Sequence, residues 1–313
     1  MELLIPCLLF ALGILLIVKG GDTFVDAASW IAKAIHIPTF VIGATIVSLA
    51  TTMPEMIVSI IAAAEGKTDM AVGNAVGSVT ANTALIMATA MLAMSITCSR
   101  KQYWKQILLL IASASVLFVS CISGFLNQWG SMILAVIFLL FMIQNVVSAK
   151  HSSMEQPQRE SVDRRQLTKY IILFLAGAAA IVVGSRLMVS NGSIIAAWFG
   201  ISERVIAVTL VAVGTSLPEL VTTITAIIKK EAALSIGNII GANIIDLALI
   251  LPLCSLVSGE ALPVSTQSIA LDLPICLLVT LVATIPLLIV QKARKWQGVV
   301  LLGLYAGYLV LVV

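Results

Sequence analysis

Residues 41–55 and 205–219 spell one pattern twice, VIGATIVSLATTMPE and VIAVTLVAVGTSLPE, 164 residues apart and without a gap. Seven of the fifteen positions are identical, and both copies close on proline and glutamate. The same offset carries Gly73-Asn74 onto Gly237-Asn238, Gly77 onto Gly241 and Asn82 onto Asp246. Both copies sit inside apolar runs, where a carboxylate costs on the order of 3 kcal/mol or more. A polar motif duplicated within apolar segments implies a transporter with its site between two halves.

The chain has 313 residues, 60% hydrophobic and 11% charged, with a mean hydropathy of +1.11. Soluble domains are nearer a quarter charged, so the class is polytopic membrane protein. The net charge of +3 implies no nucleic-acid partner, because the basic residues sit in short loops. Cys7, Cys98, Cys121, Cys254 and Cys276 have neither metal spacing nor a disulfide framework and read as small buried apolar residues. The N-terminus lacks the basic start of a signal peptide, so its first apolar run reads as a retained helix.

A spanning helix takes about 20 apolar residues. On that ruler the sequence predicts an all-α fold of ten spans, five in each half, with broken helices at the midplane. They cover 2–32, 37–64, 70–96, 104–124 and 128–148, then 169–198, 203–228, 232–258, 268–290 and 296–313. Residues 1–149 form the first repeat, 150–168 a polar linker and 169–313 the second repeat. Basic residues favour cytoplasmic loops. With both termini outside, fourteen Lys and Arg fall in cytoplasmic loops, against Lys67 and Arg204 outside. Five spans per repeat is an odd number, so the two repeats are expected to be inverted in a cell (inner) membrane.

The prolines explain how such a segment binds an ion. Pro54 and Pro218 lack an amide hydrogen and clash with the carbonyl four residues earlier. That frees backbone near Ser48–Thr51 and Ala212–Thr215, beside the hydroxyls of Thr51, Thr52, Thr215 and Ser216. Carbonyls, hydroxyls and the carboxylates of Glu55 and Glu219 make a hard-oxygen set suited to Na⁺ or Ca²⁺. The third span of each half offers Ser78 and Asn82, four residues apart on one helix face, and Asp246. Glu55, Glu219 and Asp246 carry three negative charges at most, matched by three Na⁺, or by one Ca²⁺ with a proton on Asp246.

The paired Thr-[Thr/Ser]-x-Pro-Glu and Gly-Asn-x-x-Gly motifs in a ten-span duplication resemble the cation/calcium exchanger superfamily, in particular its prokaryotic sodium/calcium antiporters. The resemblance covers essentially the whole chain. It implies a central diamond of four helices, with long, tilted first spans that slide to alternate access. It also implies that Glu55 and Glu219 are shared by Ca²⁺ and Na⁺, that Thr51, Thr52, Thr215 and Ser216 add oxygens, and that Ser48 and Ala212 offer carbonyls. Ser78, Asn82 and Asp246 would complete the metal site, and no cofactor is implied.

Two departures stand out. Where the family usually has Gly-Ser-Asn in both repeats, this chain has Gly77-Ser78-Val79 and Gly241-Ala242-Asn243. Ala242 removes a hydroxyl expected to help hold one Na⁺, which makes H⁺/Ca²⁺ (or other divalent cation) exchange the alternative; a passive cation channel ranks lower. No nucleophile–base set or nucleotide motif points to an enzyme. Asp22 and Arg186 occupy matching places and are expected to reach the nearest interface rather than each other. Asp272 is expected to cap a helix or face water, and His36 and His151 to lie in loops.

Overall fold

Two prolines set the shape of the centre. Pro54 and Pro218 each stand in the first turn of a helix, where the missing amide is tolerated. The chain before Pro54 therefore bends by 49°. The computed structural model describes residues 3–93, 100–154, 163–200, 214, 216–259 and 261–312, and of 100–102 and 151–154 the backbone alone.

In chain order the helices are α1 (Leu4–Ala34), α2 (Thr39–Thr51), α3 (Met53–Ala64), α4 (Thr68–Ala93), α5 (Arg100–Cys121), α6 (Gln128–Met154), α7 (Arg164–Trp198), α8 (Leu217–Ile228), α9 (Ala232–Ser258), α10 (Ser268–Val290) and α11 (Lys295–Val312). Eight are long and apolar enough to cross a membrane, and the bent pair α2–α3 makes a ninth span among the described residues. Of the expected span 203–228, the described part is α8 and little else. Strands β1 (Phe125–Leu126) and β2 (Leu262–Pro263) pair antiparallel and tie two loops together at one end.

The duplication is carried into local structure. Helices α3 and α8 begin and end at positions 164 residues apart. So do the regular parts of α4 and α9, Thr68–Ala81 and Ala232–Ile245. Each then opens into a wide π-helical turn, at Asn82 and at Asp246. Such turns cluster at functional sites. The left-handed residues match as well: His36 with Gly200 and Gly66 with Lys230.

Burial separates a core from a lipid-facing shell. Through the most apolar stretch of α4 and α9, 78% and 83% of residues are buried, against 28% in α1 and α7. The shell helices α1 and α7 run antiparallel, glycine against glycine. A Cβ on Gly13 would come within 2.8 Å of the Gly184 carbonyl, and one on Gly177 within 2.9 Å of the Gly20 carbonyl. Stacked pairs Phe24–Phe174 and Trp30–Tyr170, with ring centroids 4.5 and 4.0 Å apart, extend the seam. Lys33 of α1 pairs with Glu231 after α8 at 3.0 Å, so those two loops share one end.

Several expectations need correction. Helix α6 runs on to Met154 and α7 begins at Arg164, capped by Asp163, so helix invades the linker drawn at 150–168. Hydropathy marks the apolar stretch only, whereas a capped polar turn continues into water. His151 accordingly sits on a helix, while His36 lies in a turn. Asp272 is half-buried and its side chain makes no cap: it accepts Ser268 Oγ at 2.9 Å and Tyr308 Oη at 3.0 Å. Cys121, Cys254 and Cys276 are buried, but Cys7 is exposed on the shell; Cys98 lies outside the described residues.

Candidate cation-binding site

The breaks before Pro54 and Pro218 put each motif glutamate in the first turn of a helix, where the helix dipole favours a negative charge. Glu55 is 1% exposed, and Glu219 and Asp246 are fully enclosed. Glu219 Oε1 accepts the hydroxyl of Thr52 from the other half at 3.1 Å. Ser216, the counterpart of Thr52, approaches Glu55 without closing a hydrogen bond.

What remains is a set of buried oxygens without a protein hydrogen-bond partner. It comprises both oxygens of Glu55 and of Asp246, Oε2 of Glu219, Oδ1 of Asn82 and the hydroxyl of Ser216. A buried polar group left unsatisfied costs about 1–3 kcal/mol, and a charged one more. Every atom in the set has a lone pair to offer, a chemistry that suits a hard cation. The three acids lie close enough to repel one another, yet no three His, Cys, Asp or Glu side chains converge on one metal position among the described residues.

The asparagines of the Gly-Asn motifs hold this frame. Asn74 donates to Ser59 Oγ at 2.9 Å and to the Glu55 carbonyl at 3.3 Å, which clamps α4 onto α3. Asn238 donates to Thr222 Oγ1 at 2.9 Å and accepts from Thr51 at 3.2 Å, joining α9, α8 and α2. The neighbouring glycines make room for this. A Cβ on Gly237 would collide with the Phe40 carbonyl, and one on Gly43 with the Leu234 carbonyl. Asn243 donates to Thr83 at 2.8 Å, bridging α9 to α4.

Of the expected site residues, Thr51, Thr52, Glu55, Ser78, Asn82, Ser216, Glu219 and Asp246 are all buried, on α2, α3, α4, α8, α9 and the turn before α8. Ala212 and Thr215 lie outside the described residues. The Ser48 carbonyl, expected to be free, accepts the Thr52 amide at 2.9 Å and the Thr51 hydroxyl at 3.2 Å. The sequence motif by itself assigned no role to Asn74 or Asn238. The repetition of Asn74 at Asn238 was the signal for the clamps. A cavity of about 160 Å³ reaches both prolines from the side of α7, lined there by Ser185, Arg186 and Ser190.

Sequence profiles of known families match this architecture along nearly its whole length. The profile of sodium/calcium exchanger proteins matches residues 5–147 and 169–313. The chain belongs to the sodium/calcium exchanger family. This exchanger is 34% identical to the inner membrane protein YrbG of Escherichia coli over 84% of its own length and 83% of that protein. It is 30% identical to the sodium/calcium exchanger MaX1 of Methanosarcina acetivorans over 97% of both chains. Among solved structures, the sodium-calcium exchanger NCX_Mj soaked with 10 mM Na⁺ and zero Ca²⁺ superposes with a TM-score of 0.83, at 29% identity over 97% of each chain. The exchanger is thus a multi-pass membrane transporter of the prokaryotic cation/calcium exchanger type and not an enzyme.

Proposed function

We propose that this exchanger swaps Ca²⁺ for Na⁺ across the cell membrane by alternating access, around a midplane site shared by two inverted five-span repeats. The observation that carries the reading is the group of buried, donor-less oxygens contributed by both halves: Glu55 and Asn82 from one, Ser216, Glu219 and Asp246 from the other. Fixed carboxylates and hydroxyls replace the hydration shell of a hard cation. Because the acids repel, they require a matching positive load, and two alternative loads compete for the same oxygens. That competition is the chemical basis of antiport.

In this scheme Glu55 and Glu219 bind whichever ion is present. Thr51, Thr52, Thr215 and Ser216 add hydroxyls or carbonyls, Ala212 a carbonyl, and Ser78, Asn82 and Asp246 the facing wall. The antiparallel packing of α1 against α7, which occupy equivalent places in the two halves, supports the inversion. Ten spans follow from the apolar runs and both termini outside from the loop charges, with α8 completing the seventh span.

A second reading keeps the fold and changes the driver. Ala242 is fully buried and brings no hydroxyl, while both oxygens of Asp246 lack a donor, a combination that favours H⁺/Ca²⁺ exchange. Ca²⁺ uptake into proteoliposomes separates the two. Uptake driven by an outward Na⁺ gradient alone is the expected result. Uptake driven only by a pH gradient would transfer the coupling to Asp246, and uptake without either gradient would make the protein a leak.

A further inference from the structure

The offset that relates the two glutamates also relates the charged residues bracing the shell helices, and there it reverses their sign. On the α1 side, Lys229 Nζ lies 2.8 Å from Asp26 and 3.6 Å from Asp22. A Cβ on Gly21 would come within 2.8 Å of Val221 and 3.0 Å of Thr225. Helix α1 is therefore closed on α8 and latched at its end. Moved by 164 residues, Gly21 becomes Ser185, Asp22 becomes Arg186, Asp26 becomes Ser190 and Lys229 becomes Glu65. On that side the helices stand apart: Ser185, Arg186 and Ser190 line the cavity that reaches Pro54. Glu65 is paired with its neighbour Lys67 at 2.7 Å. Among the described residues no acidic group forms an ion pair with Arg186.

We propose that Arg186 and Glu65 form a second latch, the charge-reversed counterpart of Asp22 and Lys229, which closes α7 on α3 when the site opens past α1. The proposal rests on the alternating-access reading above. The two local frames support it. Glu65 and Lys229 follow helices of identical extent, and the three amides of 65–67 and of 229–231 bond equivalent carbonyls. Arginine plus glutamate also span at least the reach of aspartate plus lysine. Partly exposed ion pairs are weak, which suits a gate that must open as readily as it closes. The sides are unequal: Asp26 and the Lys33–Glu231 pair reinforce the α1 latch, whereas their counterparts Ser190 and Ala197 carry no charge and Lys67 pairs with Glu65 of its own loop. That inequality accounts for a structure closed at α1 and open at α7.

The test needs no transport, so it is independent of the coupling ion. The purified full-length chain carrying Ser190→Cys is labelled with a bulky hydrophilic maleimide, and the rate is corrected for the same chain without that substitution. Lys229→Gln releases the α1 latch and is expected to lower the ratio of α7-open to α7-closed molecules about fivefold, the population change for an exposed pair of ~1 kcal/mol. Labelling then slows. With Glu65→Arg present the α7-closed state is scarcer, so Lys229→Gln is expected to cause a smaller slowing, and Glu65→Arg with Arg186→Glu restores its full size. Comparing Lys229→Gln within each background cancels any local effect on the thiol. Unchanged labelling in Lys229→Gln alone, slowing of undiminished size with Glu65→Arg, or failure of the charge swap to restore it would each overturn the latch. Wild-type Na⁺-driven Ca²⁺ uptake, measured in parallel, reports on the exchange reading separately.

Discussion

Thr52, at the break between α2 and α3, gives its hydroxyl to Glu219 of the other half across 3.1 Å, so the two motif segments are joined directly. The two residues are 167 positions apart in the chain. The bond occupies one carboxylate oxygen and leaves the second without a protein partner. At Glu55 no such bond forms, and both oxygens are left without a protein donor.

Removing that charge is therefore decisive. Glu55→Gln and Glu219→Gln are each expected to lower Ca²⁺ uptake to near background while the protein still inserts and elutes as a folded species. Wild-type uptake by either variant would remove the carboxylates from the binding role.

The Thr52–Glu219 bond predicts a difference between two small substitutions. Thr52→Val leaves a buried carboxylate without its donor, at a cost of about 1–3 kcal/mol, so lower thermal stability and weaker Ca²⁺ binding are expected. Thr52→Ser keeps the hydroxyl and should behave nearly as wild type. Equal effects from both would mean that bulk, and not the hydrogen bond, matters at position 52.

Close helix contact makes Gly237 and Gly43 intolerant of a side chain. Gly237→Ala drives a methyl into the Phe40 carbonyl, and overpacking of this kind costs about 1–3 kcal/mol or more. Loss of folded protein is expected on size-exclusion chromatography. Gly303→Ala, on the exposed face of α11, is the control and should leave the elution profile unchanged.

Ala242 tests the coupling ion. Its side chain is fully buried beside Gly241, whose added Cβ would come within 2.6 Å of Ser48 Oγ. Ala242→Ser supplies the hydroxyl that the first repeat has at Ser78. Steeper Na⁺ dependence of Ca²⁺ uptake is the expected outcome. An unchanged dependence would exclude position 242 from the Na⁺ ligands.

The membrane class, the repeat and the motif carboxylates were all legible in the sequence, because each rests on a local rule. Twenty apolar residues span a bilayer, a proline breaks the helix that precedes it, and a duplicated motif adopts the same conformation twice. Hence α3 and α8 have matching ends, and Asn82 and Asp246 open matching turns. Local rules also misled. Hydropathy placed a linker where Asp163 caps α7 and lets it run on as a polar helix, and it left Cys7 among the buried residues.

The sequence alone determined which polar side chains fall within apolar runs: Glu55, Glu219, Asp246 and the hydroxyls beside the two prolines. Only the tertiary structure decided how those side chains are used. It assigned Thr52 to Glu219, engaged the Ser48 carbonyl, turned Asn74 and Asn238 into clamps, and closed α1 on α8 while α7 stands open. Thr51 and Asn238, for example, lie 187 residues apart in the chain, and such pairing depends on how glycine-lined helices pack. Helix propensity and hydropathy act over a few residues and carry no information about such crossings.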